Sequence, residues 1–333
     1  MKNIAGINTG YGWTKAISGA ASVCFESVIA PATDLKFKPT EDMMIGGNGG
    51  VKIGYHGQEW FVGSMARLHS SIEIEPRARA RDKTMQRVLT LAALYKLGIK
   101  SGEVNLVTGL PVRWYEQDKD ELAAMLMGTH GFAVEGVRHS LYIPKVVVVP
   151  EAFGTYYKTI VNENGVFVDA EGLRNADVGI LDIGTFTTNY IHIAPGPRYA
   201  EDGSHSIKVG MGRVYEQLQE TVYARCEREL SFREAEDLVI NEQQQIRGKG
   251  KMHSIADLIG SALSSIATAI LSEAKTQWGY GDGLAAILVT GGGGQALFPY
   301  VQQIYSHAHL VDDPQMANAQ GFHRYAIRKF IAP

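Results

Sequence analysis

Apolar and polar positions along the chain alternate between two periods, and strands and helices are read from the switch. Lys2–Ile7 reads as a short strand, Gly10 and Gly12 as a turn, and Thr14–Ser18 as the returning strand. Residues 22–63 are β- and loop-rich, with a glycine cluster from Gly46, Gly47, Gly49 and Gly50 to Gly63. Asp82–Leu97 has helical spacing, with Val88, Leu91, Ala92 and Tyr95 on one face. Glu103–Leu110 is a strand ending at Gly109-Leu110-Pro111, and Tyr115–Met127 a helix with a charged outer face. Lys145–Val149 is a valine run, stopped by Pro150, that suits a strand buried on both faces. Glu151–Val161 then reads as a helix.

The second half repeats the scheme. Val178–Ile183 is an apolar strand, Gly184 opens a turn, and Thr187–Ile193 returns. Gly212–Glu229, Phe232–Asn241 and Ile255–Trp278 read as helices. Ala285–Thr290 is a strand running into Gly291–Gly294, followed by a helix from Gln295 to Ile304. A short strand, His309–Val311, and a helix from about Gln315 to Phe330 complete the pattern. One internal echo stands out. Residues 7–14 lie over residues 181–188, so that Gly10 falls on Gly184, Thr14 on Thr188 and Asn8 on Asp182. The match is short, but it suggests two halves, each with a glycine hairpin at the end of its first strand.

Composition narrows the function. Glycine is the anomaly: 37 of 333 residues, with only 11 prolines. Some positions must need backbone freedom or close approach by a ligand. With 32 basic and 35 acidic side chains the net charge is −3, which excludes a global positive field for nucleic acid. The two cysteines, Cys24 and Cys226, form no CxxC or metal spacing, so a reduced, cytoplasmic compartment is expected. The N-terminal MKNIAGINTG has no secretory apolar region, and the best membrane candidate, Ile255–Ala274, is broken by Asp257 and serines.

Three glycine turns carry the candidate chemistry. The first is Asn8–Lys15, where the backbone N–H groups of Gly10, Tyr11, Gly12 and Trp13 can form a phosphate nest, with Lys15 as a point charge after Thr14. The second, Asp182–Thr188, offers Gly184, Phe186 and the hydroxyls of Thr185, Thr187 and Thr188, and Asp182 is placed to organise hydrated Mg²⁺. The third is Thr290 followed by Gly291, Gly292, Gly293 and Gly294, where a flat base or ribose can approach the backbone. Each alone is a weak signal, since a lone glycine turn is more often a tight hairpin or a helix entry. No GxxxxGK[ST], GxSxG or HExxH occurs.

Together NTGYGWTK, DIGTFTTN and VTGGGG resemble the phosphate and adenosine motifs of the actin/Hsp70/sugar-kinase superfamily, in the right order. Pro150–Gly154 is similar to its first connecting motif and Asn318–Gly321 to the second. GYGWTK, VTGLPVRWYEQDKDEL and PEAFGTYYK resemble the plasmid-encoded actin-like proteins of the ParM/StbA type and archaeal actin-like relatives. The resemblance implies an α/β, actin-like fold of two ribonuclease-H-like domains, residues 1–155 with 315–333 and residues 156–314, with a nucleotide cleft between them. It implies ATP/ADP as ligand, with GTP left open, Mg²⁺, and self-assembly into filaments that segregate plasmid DNA. It implies as partner a DNA-binding adaptor on a centromere-like site, with no direct nucleic-acid contact and no membrane.

Glu151 is the expected catalytic carboxylate, at the start of a helix after Pro150, aiming water at the γ-phosphate together with Asp182. Asn8 departs from the family, which has aspartate there; asparagine keeps the shape and loses the charge, so its share in organising the metal is weakened. Gly210 and Gly212 read either as lining the nucleotide or as a helix entry. Arg77, Arg79, Arg81, Lys83 and Arg87 read as a solvated helix start or subunit contact, since interleaved aromatics are missing. His307, His309, Asp312 and Asp313 have a spacing common to ordinary strand ends as well as metal sites. The rival functions are a small-molecule kinase and a non-polymerising nucleotide-dependent scaffold. The glycine cluster of residues 46–63 is where a subunit contact is expected.

Overall fold

The computed structural model describes residues 3–32, 50–69, 82–169 and 172–331. Arg77, Arg79, Arg81, Gly46, Gly47 and Gly49 lie outside them. The chain forms two compact units: residues 1–168 with 318–333, and residues 169–317.

The first unit begins with a meander, β1 (Asn3–Thr9), β2 (Trp13–Ser18) and β3 (Ala21–Glu26). Then come β4 (Ile29–Pro31), β5 (Val51–Tyr55), β6 (Gln58–Val62) and the short helix α1 (Ser64–His69). Helix α2 (Lys83–Lys96) starts where Asp82 caps it, its carboxylate accepting from the N–H groups of Thr84 and Met85. Next are β7 (Ser101–Leu110), α3 (Val112–Leu126), the hairpin β8 (Gly128–Val134) and β9 (Val137–Ile143), β10 (Val146–Pro150) and α4 (Phe153–Ile160). The order β3-β2-β1-β7-β10 forms one side of the sheet, with β1, β7 and β10 parallel. The other side, β9-β8-β5-β6-β4, joins through the first residues of β7. Ile7, Val88, Leu91, Leu106 and Leu141 are in the core between α2 and the sheet.

The second unit has β11 (Val178–Ile183), β12 (Thr188–Ala194) and β13 (Arg198–Ile207), then α5 (Met211–Cys226) and α6 (Phe232–Ile240). The ribbon β14 (Gln245–Gly248) and β15 (Lys251–Ser254), α7 (Ala256–Trp278), β16 (Ala286–Thr290), α8 (Gly294–Ile304) and β17 (Ala308–Leu310) follow. Its sheet order is β13-β12-β11-β16-β17, again an antiparallel meander followed by two parallel strands. This is the order and sense of β3-β2-β1-β7-β10. The echo read in the sequence is therefore also one of topology: Thr9 pairs with Thr14, and Ile183 with Thr188.

The last helix, α9 (Ala317–Phe330), packs in the first unit. A Cβ on Gly321 would lie 1.6 Å from the Gly154 carbonyl oxygen, so α9 and α4 touch backbone to backbone. Asn318 Oδ1 accepts from the Thr155 N–H at 3.0 Å and its hydroxyl at 2.8 Å. The two segments read as connecting motifs thus fasten to each other.

Three segments differ from the expectation. The hairpin over 128–143, strand β13 and the ribbon β14–β15 have no counterpart in the pattern read above. Val146, Val147 and Val148 are half-buried, not enclosed on both faces. Among the described residues β10 pairs only with β7, and Val146 and Val148 rest against the cluster of Leu122 and Leu126.

Candidate functional site

Each unit carries candidate site residues of its own, at the turn that ends its first strand. In the first unit, Thr14 is wholly buried and its hydroxyl shares a 2.8 Å hydrogen bond with Ser27 Oγ. The Ser27 N–H donates to the Gly12 carbonyl at 3.0 Å. Thr14 and Gly12 therefore tie the turn to the chain after β3. The Tyr11 ring meets Trp114 edge-on at 6.1 Å, a packing contact, and Trp13 is half-buried in β2 opposite Glu26.

Asn8, Gly10, Tyr11, Ser27, Gln86 and Glu151 line an open pocket beside this turn. Asn8 is 4% exposed and stands directly across the strand pair from Lys15. A Cβ on Gly10 would lie 3.5 Å from Lys15 Nζ and 3.8 Å from Glu151 Oε1, so the ammonium and the carboxylate both reach this glycine. Glu151 is not on a helix. It occupies the turn between β10 and α4, whose N-cap is Ala152, and its N–H donates to the Leu110 carbonyl at 2.8 Å. The expected helix-start position is corrected accordingly: the strand end, continued through Pro150, fixes Glu151. Ser27 and Gln86 also line the pocket, beyond the residues expected from the sequence. The Gln86 side-chain oxygen Oε1 accepts from the Thr9 hydroxyl at 2.6 Å, but a glutamine on an amphipathic helix carries no signal of this role.

In the second unit Asp182 is 5% exposed at the end of β11, across from Asn189. The Gly184 N–H is engaged in the turn by the Thr187 carbonyl at 2.9 Å, and the Thr188 hydroxyl donates to the Val209 carbonyl at 2.8 Å. The start of α5 grips the turn from below: Met211 N–H donates to the Gly184 carbonyl and Gly212 N–H to the Thr185 carbonyl. Gly210 is required there, because a Cβ would lie 2.5 Å from the Gly184 carbonyl oxygen. Phe186 stacks on Phe232 at 5.9 Å. Thr185 and Thr187 stay half-exposed.

The third turn abuts the second. Gly291 has φ +86°, and a Cβ on it would lie 2.5 Å from Asp182 Oδ1. Its N–H donates to the Pro314 carbonyl, and the Gly293 N–H to Ile183. Gly293 also faces Met211, and Gly294 begins α8. Gly292 alone of the four is exposed, with open space at its Cβ position. Asp182, Gly184, Thr185, Gly210, Gly212, Gly291 and Gly293 thus form one assembly. Among the described residues no group of three or more His, Cys, Asp or Glu side chains could hold a metal ion, so His307, His309, Asp312 and Asp313 form none. No described helix is long and apolar enough to cross a membrane.

These features match known proteins. Residues 6–154 match the N-terminal domain of actin-like proteins, and residues 180–303 the C-terminal domain of archaeal MreB-like actin homologues. The chain belongs to the actin-like proteins. Its fold resembles that of the archaeal actin homologue Ta0583, with a TM-score of 0.80 and 20% identity over 98% of this chain and 100% of that one. Ta0583 is also known in complex with ADP, with a TM-score of 0.77 and 17% identity over 98% and 100%. A 15-stranded ParM filament from Clostridium botulinum has subunits similar to this chain, with a TM-score of 0.76 and 23% identity over 98% and 99%. No curated protein matches in sequence.

Proposed function

We propose that this actin-like protein binds ATP with Mg²⁺ and hydrolyses it while assembling into filaments that segregate DNA. The observation that carries the reading is the matched pair of hairpins, each presenting a buried polar residue, Asn8 or Asp182, at the same register position. An ADP complex and a filament among the similar structures support it.

Lys15 contacts the phosphate chain as a point charge. Thr185 and Thr187 offer hydroxyls from the second turn, and exposed Gly292 leaves room for the base or ribose. The residues suit Mg²⁺, which keeps most of its waters and takes one or two carboxylates plus phosphate oxygens. Asp182 would supply that carboxylate, and Asn8 would add only an uncharged oxygen. When bound, the ion neutralises phosphate charge. Glu151 accepts a proton from, and orients, the attacking water. ATP and ADP must differ in affinity for assembling and non-assembling states if the cycle is to drive filaments. The net charge of −3 supports contact with DNA through an adaptor protein.

Light scattering after addition of ATP·Mg²⁺, with phosphate release followed in parallel, tests the reading. A rise in scattering followed by phosphate release is expected. A protein that stays monomeric with ATP·Mg²⁺ refutes filament assembly, and ADP production by that monomer that depends on an added substrate favours the kinase reading. No binding and no turnover refutes the nucleotide site.

A further inference from the structure

The open pocket of the first unit contains a polar side chain that the chemistry proposed above does not use. The pocket lies at the carboxyl ends of the parallel strands β1, β7 and β10, where open α/β sheets place their ligands. Its volume of about 30 Å³ admits water. Glu151 lines it from the turn after β10, and Gln86 lines it from the first turn of α2. The Gln86 backbone is held there, its N–H donating to the Asp82 carbonyl at 3.0 Å. The Gln86 side chain is held as well. Ala5 and Ile7 of β1 enter the core with α2, and Thr9 continues the same face of the strand. The Thr9 hydroxyl donates to Gln86 Oε1 at 2.6 Å. That bond fixes which end of the amide is which: the oxygen is engaged, and the two hydrogens on Nε2 have no protein acceptor among the described residues. A carboxylate that accepts and an amide that donates therefore border one pocket.

We infer that the Gln86 amide is a second catalytic group for hydrolysis, donating from Nε2 to the water that Glu151 deprotonates, and that Thr9 is the positioning residue that orients this amide. The inference rests on the nucleotide hydrolysis proposed above. The water gives one hydrogen to the Glu151 carboxylate and accepts from Nε2–H on one lone pair. Its other lone pair is left for phosphorus. In the step, the water oxygen bonds to the γ-phosphorus. The bond from that phosphorus to the bridging oxygen breaks, and its electron pair leaves on ADP. The water proton passes to Glu151, and Gln86 neither gains nor loses one. A single contact to Glu151 lets the water turn about it, whereas two contacts set the direction of the attacking lone pair, an entropic advantage prepaid by the fold. Thr9 acts only through Gln86: without its hydroxyl the amide can turn its oxygen to the water and lose the donor.

The test measures single-turnover phosphate release from ATP·Mg²⁺, and titration with a non-hydrolysable ATP analogue, for wild type, Gln86→Met, Thr9→Val, Thr9→Ser and the double variant Thr9→Val/Gln86→Met. Gln86→Met keeps the length and removes the donor. It should bind the analogue within about twofold of wild type and release phosphate about tenfold or more slowly. Thr9→Val should slow release in the same way, Thr9→Ser should restore it, and Thr9→Val should cost little further in the Gln86→Met background. Gln86→Met releasing phosphate at the wild-type rate overturns the inference and leaves the proposed hydrolysis intact. Weaker analogue binding with an unchanged release rate places Gln86 on the nucleotide instead of the water and overturns it too. A Thr9→Val loss of equal size with and without Gln86 overturns the role of Thr9. Wild type that releases no phosphate overturns the hydrolysis reading itself, and the inference with it. Should Thr9→Val fail to fold, Gln86→Met decides the inference alone, since methionine is as good a helix former as glutamine.

Discussion

Replacing Gly321 by alanine should destabilise the first unit, whereas the same change at Gly260 should stabilise the protein. Both glycines lie inside helices, Gly321 in α9 and Gly260 in α7. Alanine gains about 1 kcal/mol over glycine from helix propensity at either place. At Gly260 nothing lies within 4 Å of the added methyl, so the gain stands. At Gly321 the methyl would sit 1.6 Å from the Gly154 carbonyl oxygen and 2.4 Å from its carbonyl carbon. Those atoms are backbone, so no rotamer change relieves the clash, and α9 must move away from α4 by about 2 Å. Overpacking costs about 1–3 kcal/mol where side chains can yield, and more where they cannot. Separation also breaks the hydrogen bonds from Thr155 to buried Asn318, a further loss of about 1–3 kcal/mol. After the propensity gain, a net loss of about 3 kcal/mol remains for Gly321→Ala. At about 2–4 °C per kcal/mol this lowers the midpoint by about 6–12 °C, while Gly260→Ala raises it by about 2–4 °C. Scanning calorimetry of the three proteins measures both. A Gly321→Ala midpoint at or above wild type would refute the backbone contact between α4 and α9.

Glu151→Ala should still bind ATP in a titration but lose about 10²–10⁴ in turnover, and an unchanged phosphate-release rate would remove Glu151 from the chemistry. Thr188→Val deletes a part-buried hydrogen bond to the Val209 carbonyl and should cost about 1–2 kcal/mol in urea unfolding; no change would show that the hydroxyl does not hold the turn to the segment before α5. Stability should fall in alkali. Burial pushes the Tyr157 phenol up to about 12 and raises Tyr190 too, while the unfolded phenols ionise near pH 10. The unfolded state loses these protons first, so stability is full below about pH 10 and declines as pH rises toward 12. Urea midpoints between pH 9 and 12 should show that slope, shallower for Tyr157→Phe; identical slopes would exclude Tyr157 as a source.

The order of elements in both units was legible wherever burial wrote a simple period. Strand β11 is buried at every position, and VGILDI reads as an apolar run broken only by Asp182. The stripe of Val88, Leu91 and Ala92 on α2 is fully in the core. What escaped was polar structure held by pairing. In β13 no residue is fully buried, and RYAEDGSHSI is a strand only because β12 pairs with it. In β8 one of the buried positions is a histidine, His130, and in β9 the first four positions, Val137 to Ser140, are not buried, so neither strand writes a clean apolar alternation. Nonlocal packing escaped for the same reason. That Gly210 must lie under the Gly184 carbonyl, or that Phe186 stacks on Phe232, follows from chain segments meeting in space. No sequence period records such meetings.

The glycines bear on how the site should be understood. Read as a composition, their excess suggested walls against which a ligand could lie. Most of those at the second and third turns instead let protein approach protein. Gly210 admits the Gly184 carbonyl, Gly291 the Asp182 carboxylate and Gly293 the Met211 side chain. Only Gly292 in the run of four faces open space. The motif therefore specifies how β11, α5 and the loop before α8 interlock, and a chain could keep that interlock while losing its chemistry. Reactivity has to be sought in the side chains the interlock positions, Asn8, Lys15, Glu151 and Asp182. Asn8 and Lys15 make the first hairpin one elementary charge more positive than neutral, and Asp182 and Asn189 make the second one charge more negative. A hairpin register repeated in both units carries two electrostatic characters through two exchanges, Asn8 against Asp182 and Lys15 against Asn189, and those four positions, more than the glycines around them, set the charge that each turn presents.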